Sequence, residues 1–264
     1  MSLATRIPVL MYHRVGQPHD PREARYAIAP KIFNAHLRAL AEAGYHAVAI
    51  DQVVDWLEGG APLAEGAFLL TFDDGFRSVR DHAAPLLEAL GWPYTVFLVS
   101  DLIGAEDVWT RATRPDGATH PLLDGAEIGD MQARGCDFHS HSRSHASLPA
   151  LNDAELASQL LGSRQALVEL LGREVRYLAY PFGHVDERVE RAARAAGYRA
   201  AFATQPGFNR QDVNRFQIHR LDILGTDTPA NLLRKVRLGS NDGSLLGQLG
   251  YVAARLSARL GLRR

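Results

Sequence analysis

The chain has 264 residues, 46% of them hydrophobic and 22% charged, with a formal net charge of −1. That composition is globular, and a near-neutral chain offers no electrostatic case for binding nucleic acid. The length suits one sizeable domain or two small ones, and the single cysteine, Cys136, excludes an intrachain disulfide, in keeping with a reducing compartment.

Pro8 to Tyr12 is a short apolar run and reads as a first strand. No small-residue cleavage site follows it, so it does not read as a signal peptide, and a cytoplasmic location is expected. No stretch approaches the roughly 20 apolar residues that span a bilayer. Pro30 to Ala43 carries Phe33, Leu37 and Leu40 at helical spacing, with Pro30 suited to the start and Gly44 to the stop. Tyr45 to Ile50 predicts a strand. Asp51 is expected to cap a short helix through Val54 and Leu57. Ala67 to Phe72 is a continuous apolar run of strand length, Val79 to Leu90 is helical up to Gly91, and Tyr94 to Val99 is a strand.

Residues 100–125 form a polar, glycine-bearing insertion around Trp109. Cys136 to Ser140 predicts a short strand. Asn152 and Glu155 resemble a capping box that opens a long helix ending at Gly172. Val175 to Tyr180 reads as a strand, Asp186 to Ala196 as a helix, and Tyr198 to Thr204 and Phe216 to Leu224 as strands. Such alternation implies an α/β fold with a mainly parallel sheet, and seven or eight strands suit a barrel with its chemistry at the strands' C-terminal ends.

Chemistry-bearing residues gather at those ends. Thr71-Phe72-Asp73-Asp74-Gly75 follows the strongest strand. Adjacent carboxylates repel, a bound cation relieves the repulsion, and Gly75 permits a sharp turn; a polar turn capping the next helix is the plainer alternative. His139, His141 and His145 fall within seven residues. Residues 141 and 145 would meet one metal across a helical turn, and 139 and 141 would share a face if the strand continued. Ala179-Tyr180-Pro181-Phe182-Gly183 ends another strand and, alone, is an ordinary Pro-Gly turn.

Together these segments resemble the first three motifs of the polysaccharide deacetylase (NodB-homology) family, in the same order and spacing. The likeness runs from Pro8 to about Leu224 and is nearest to members that begin with a tyrosine-histidine pair, as in poly-N-acetylglucosamine deacetylases; here the pair is Tyr12-His13. The resemblance implies a distorted (β/α) barrel of about seven strands. It further implies Asp74, His141 and His145 as metal ligands, Asp73 as general base, the Phe182 N–H as oxyanion donor and His13 as general acid. Two departures stand out. Where the family often has an arginine orienting the base, this chain has Ala179; Arg220 is the expected substitute, ahead of Arg215 and Arg176. A late leucine-x-histidine motif is also missing, leaving His219 as the other candidate acid. Neighbouring strand residues face opposite ways, so an inward Arg220 turns His219 out and favours His13.

The resemblance therefore implies a hydrolase that removes the N-acetyl group from an amino sugar in a glycan or glycolipid precursor and releases acetate. Two histidines and a carboxylate suit Zn²⁺ with one open position, and the same donors accept Co²⁺, Ni²⁺ or Fe²⁺. Alternatives are a deacylase or deformylase of a lipid-linked or non-sugar amide on the same scaffold, and a catalytically impaired carbohydrate-binding protein. A catalytic domain over residues 1–240 is expected, followed by a basic amphipathic helix over 241–264. In that tail Leu249, Val252, Leu256 and Leu260 recur at helical spacing beside Arg255, Arg259, Arg263 and Arg264. The helix is expected to pack on the barrel, with peripheral contact to the inner membrane as the sharper alternative.

Overall fold

The computed structural model describes residues 2–18, 23–113 and 117–247. Ten strands occur in these residues: β1 (Val9–Tyr12), β2 (Arg14–Val15), β3 (Ala27–Ile28), β4 (His46–Ala47), β5 (Ala67–Phe72), β6 (Thr95–Leu98), β7 (Asp137–Ser140), β8 (Tyr177–Ala179), β9 (Ala200–Phe202) and β10 (Leu221–Asp222). The helices are α1 (Pro30–Glu42), α2 (Ile50–Leu57), α3 (Ala84–Leu90), α4 (Gly125–Ala133), α5 (Asp153–Ala157), α6 (Ser163–Leu171), α7 (Glu187–Ala195) and α8 (Pro229–Leu238).

The main sheet is parallel and runs β10-β1-β5-β6-β7-β8-β9, curled in the manner of a distorted (β/α) barrel. All six residues of β5 are buried, as an apolar run covered on both faces must be. One edge of β5 is shared, its first residues pairing with β4 and its last with β6. The other edge carries β1.

Side chains alternate across these strands. Val9, Leu69, Phe97, Tyr177, Ala179, Ala200, Phe202 and Ile218 pack together in the interior with Val53, Val54, Trp56 and Leu57 of α2. Leu10, Leu70, Val96, Phe138, Leu178 and Leu221 face the opposite way, into the layer beneath the helices. Chemistry is left to the C-terminal ends of the strands.

Segment 216–222 joins the two edges of the sheet. Ile218 donates to Ala201 O (3.0 Å) and accepts from Ala203 N–H (2.9 Å), while Leu221 and Asp222 pair with Leu10 and Met11 of β1. The expected strand from Phe216 to Leu224 is consequently split between two partners, and only its last part forms a regular ladder. The expected strand from Tyr45 to Ile50 shrinks to β4 because Ile50 already starts α2. That helix begins after Ala49, whose N–H donates to Gln52 Oε1 at 2.9 Å. Asp51 is therefore not the cap; it lies in the first turn and pairs with Arg176 and the Tyr177 hydroxyl. The helices expected at 79–90 and 152–172 each contain a π turn, Val79–Ala83 and Ser158–Gly162. Helices α4 and α8 are additions to the expected set. Among the described residues, no helix is long and apolar enough to cross a membrane. The expected tail helix falls mostly beyond residue 247, outside the described residues.

Candidate active site

The site is assembled where β1, β5, β7 and β8 end. The Asp73 N–H donates to Tyr12 O at 3.0 Å, the last tie of the β1–β5 ladder. The chain then turns sharply: Asp74 has φ 75° and Gly75 φ 80°. A Cβ on Gly75 would lie 2.8 Å from Leu98 Cδ2, so a larger residue would add a crowded contact to an unfavourable backbone conformation. Among the described residues, the non-glycine residues with positive φ are Asp74, Ser142, His145 and Phe182, all within the three sequence motifs. Backbone held in a costly region at these points marks them as positions fixed by their surroundings.

The loop after β7 is clamped from two sides. Ser100 and Asp101 N–H donate to Ser142 O and Arg143 O at 3.1 and 2.9 Å. From the other side, Gln159 Oε1 accepts from the N–H groups of Arg143 and Ser144 (3.0 and 3.1 Å), and its Nε2 donates to Ser144 Oγ (2.8 Å). Gln159 sits in the second π turn.

Within this frame one ligand atom each from Asp74, His141 and His145 lie within 4.8 Å of one another, all three residues buried. The Nε2 atoms of His141 and His145 are 3.4 and 3.3 Å from Asp74 Oδ1, which is buried without a hydrogen-bonded donor. His141 Nδ1 lies 2.8 Å from Ala179 O. A carbonyl only accepts, so Nδ1 carries the proton and the Nε2 lone pair faces a carboxylate oxygen. Two lone pairs pointing at each other need a proton or a cation between them. The donor set therefore fits a divalent ion held by two imidazoles and a carboxylate.

The charges agree. Burial opposes the Asp74 carboxylate, but His141, His145 and His13 outweigh it and hold its pKa well below the usual range. Burial also acts on both histidines. It prevails at His145, bringing its pKa down to about 4, whereas the Asp73 and Asp74 carboxylates reverse it at His141 and raise the value.

Asp73, 2% exposed, is gripped by fully buried Arg220: Nη1 donates to Oδ1 at 2.6 Å and Nη2 to Oδ2 at 2.8 Å, while Nε donates to Ala203 O at 2.9 Å. Burial raises the Asp73 pKa, and the charges of Arg220 and His141 more than offset it, so the net shift is downward. His13 is half-buried and acts electrostatically on Asp73, Asp74 and His145. Its Nδ1 is buried without a partner, and its ring meets the half-exposed ring of Tyr26 edge-on, centroids 5.2 Å apart. Phe182 (φ 60°) sets its ring edge-on to His145 at 4.5 Å. His219 is directed elsewhere, its side chain against Gly207 and its backbone bonded to Asn209. Arg176 and Arg215 are tied to Asp51 and Glu58 on the surface. His139 lies in the interior, edge-on to Tyr177 at 4.6 Å, with Asp137 as its carboxylate neighbour.

Sequence reasoning missed Gln159, buried in the pattern of a regular helix, and Tyr26, which follows no motif. Trp109 stood in the sequence only as the centre of the 100–125 insertion; its indole stacks on His145, centroids 4.4 Å apart and planes 24° from parallel.

A parallel barrel with buried, convergent acid and imidazole groups at its C-terminal mouth has the arrangement of a barrel enzyme's active site. The family model for polysaccharide deacetylase matches residues 61–201, and the chain belongs to that family, hydrolases of the amide bond in N-acetylated sugars. The YxkH protein of Bacillus subtilis (strain 168) is 25% identical over 218 residues, covering 83% of this chain and 71% of that one. Poly-beta-1,6-N-acetyl-D-glucosamine N-deacetylase of Staphylococcus epidermidis is 22% identical over 247 residues, covering 86% of this chain and 81% of its own. The Streptococcus pyogenes deacetylase PplD shares the fold, with a TM-score of 0.75 at 21% identity over 89% of this chain and 99% of that one.

Proposed function

We propose that the chain is a metal-dependent N-deacetylase of an amino sugar carried in a glycan or glycolipid precursor. The observation that carries the reading is the convergence of Asp74, His141 and His145 beside a second carboxylate, Asp73, that is held separately by Arg220. Asp74, His141 and His145 would hold the ion, Zn²⁺ in the first instance. When bound, it supplies Lewis acidity toward the acetyl carbonyl and toward water.

The remaining work falls to this chain's own groups. Asp73 stays ionised and oriented by Arg220, and takes a proton from the attacking water. The Phe182 N–H donates to the oxygen on which charge develops. His13, on the Tyr26 side of the mouth, protonates the departing sugar nitrogen. Acetate and a free amine result. The poly-N-acetylglucosamine substrate named for the S. epidermidis relative supports a β-linked N-acetylglucosamine oligomer as the first compound to try.

The test is acetate release from a panel of N-acetylated sugars, free, polymeric and lipid-linked, by chelator-treated protein with and without added Zn²⁺ or Co²⁺. Release is expected only with metal, and Asp74→Ala and His141→Ala should lose both bound metal and turnover. Full activity in a metal-free variant would falsify the reading.

A further inference from the structure

The two candidate imidazole ligands are held in different ways. His141 has the usual support, its Nδ1 proton given to Ala179 O at 2.8 Å. Among the described residues His145 has none: its Nδ1 is buried without a hydrogen-bond partner. Its ring is instead enclosed by aromatic groups, with the Trp109 indole stacked on it at 4.4 Å and the Phe182 ring edge-on at 4.5 Å. Trp109 comes from the Val108–Thr113 turn of the 100–125 insertion, remote in sequence from the motif that supplies His145. The backbone of His145 is itself in the left-handed region, φ 59°, and its Nε2 lies 3.3 Å from Asp74 Oδ1.

We infer that Trp109 is a positioning residue for the metal centre, fixing the His145 ring by stacking where a ligand histidine ordinarily relies on a hydrogen bond. This rests on the metal-site reading above. Ring stacking fixes the plane of the imidazole but allows rotation within it, so Nε2 is aimed by the stack together with the Phe182 edge. A substitution that keeps a flat ring at 109 should preserve the hold, and one that removes the ring should release it.

The experiment is a metal titration of the full chain, with Co²⁺ followed by its visible absorption and Zn²⁺ by competition with a chromophoric chelator. Wild type, Trp109→Phe and Trp109→Ala are compared, each checked for its fold by circular dichroism and thermal melting. Trp109→Ala is expected to bind either ion at least about 10-fold more weakly, with an altered Co²⁺ band, the scale found when support of a ligand is removed. Trp109→Phe is expected to stay close to wild type. Wild-type affinity and an unchanged band in folded Trp109→Ala would overturn the inference, as would a folded Trp109→Phe that binds as weakly as the alanine variant. If alanine at 109 prevents folding, Trp109→Leu, which keeps bulk without a ring, takes its place, with the same weakened binding expected and wild-type affinity overturning the inference. Wild type that binds neither ion would instead remove the metal-site reading itself.

Discussion

Asp73 and Arg220 form a bidentate pair with almost no access to water, and such a pair is more costly to break than to lack. Arg220→Met should destabilise the fold by about 3–5 kcal/mol in urea unfolding, because it strands a buried carboxylate. Adding Asp73→Asn should recover part of that loss while leaving the protein inactive; no recovery would mean that Arg220 acts through packing alone. The two residues are 147 positions apart, and Asp73 could be read from its motif whereas Arg220 could only be nominated. Alternation along the last strand separated it from His219, but a single chain carries no information on which arginine the fold delivers to a given carboxylate. Gln159 and Tyr26 were illegible for the same reason: their roles come from tertiary neighbours and leave no local pattern.

Among the elements, α1 is tied to β1 and to the loop before α8 by one buried imidazole. His36 Nε2 lies 2.7 Å from Asp227 O, so it must carry the proton, and Nδ1 then accepts from the Tyr12 hydroxyl at 3.2 Å. Burial lowers the His36 pKa, with the nearby Lys235 acting in the same direction and Asp227 opposing both. The unfolded histidine titrates near pH ~6.5, so between the two values the unfolded chain binds more protons. Stability from this group is complete above the unfolded value and is lost as pH falls through the folded one. The urea midpoint should drop from pH 7 to pH 5, and His36→Gln should show a shallower drop; equal slopes would remove His36 from the account.

Helix α4 illustrates legibility that periodicity overlooks. Its Asp124 accepts from Glu127 N–H at 2.8 Å and Glu127 returns a bond to Asp124 N–H, a capping box at the end of the insertion. Asp124→Ala should cost about 1 kcal/mol in the same unfolding assay. Thr228, Pro229 and Gly239 likewise bracket α8 with a cap, a first-turn proline and a left-handed stop. Both helices were announced by their ends, while their apolar stripes were too short to stand out. The strand run of β5, buried on both faces, needed no such signal and was readable residue for residue.

For the molecule as a whole, the expected catalytic unit of residues 1–240 can be set against the contacts. Asn241 Oδ1 accepts from Asp222 N–H at 2.9 Å, and Gly243 O accepts from Arg234 Nε at 2.5 Å. We propose that a chain ending at residue 247 retains folding and acetate release, whereas one ending at 240 loses thermal stability by losing these bonds to β10 and α8. Equal melting temperatures for the two would show that residues 241–247 are dispensable. Because an ion binds only the folded chain, saturating Zn²⁺ should also raise the melting temperature of wild type but not of Asp74→Ala. The barrel itself was foreseeable from the alternation of elements. What alternation cannot show is that β5 shares one edge between two strands, or that the last strand divides its loyalty.

That divided strand has a consequence for how the protein matures. The residues that zip the seam of the sheet, pairing first with β9 and then with β1, also deliver the guanidinium that neutralises Asp73. Until the seam is zipped, the Asp73 carboxylate is a charge without its buried partner. Closing the sheet and neutralising Asp73 are thus a single step, made by the same seven residues.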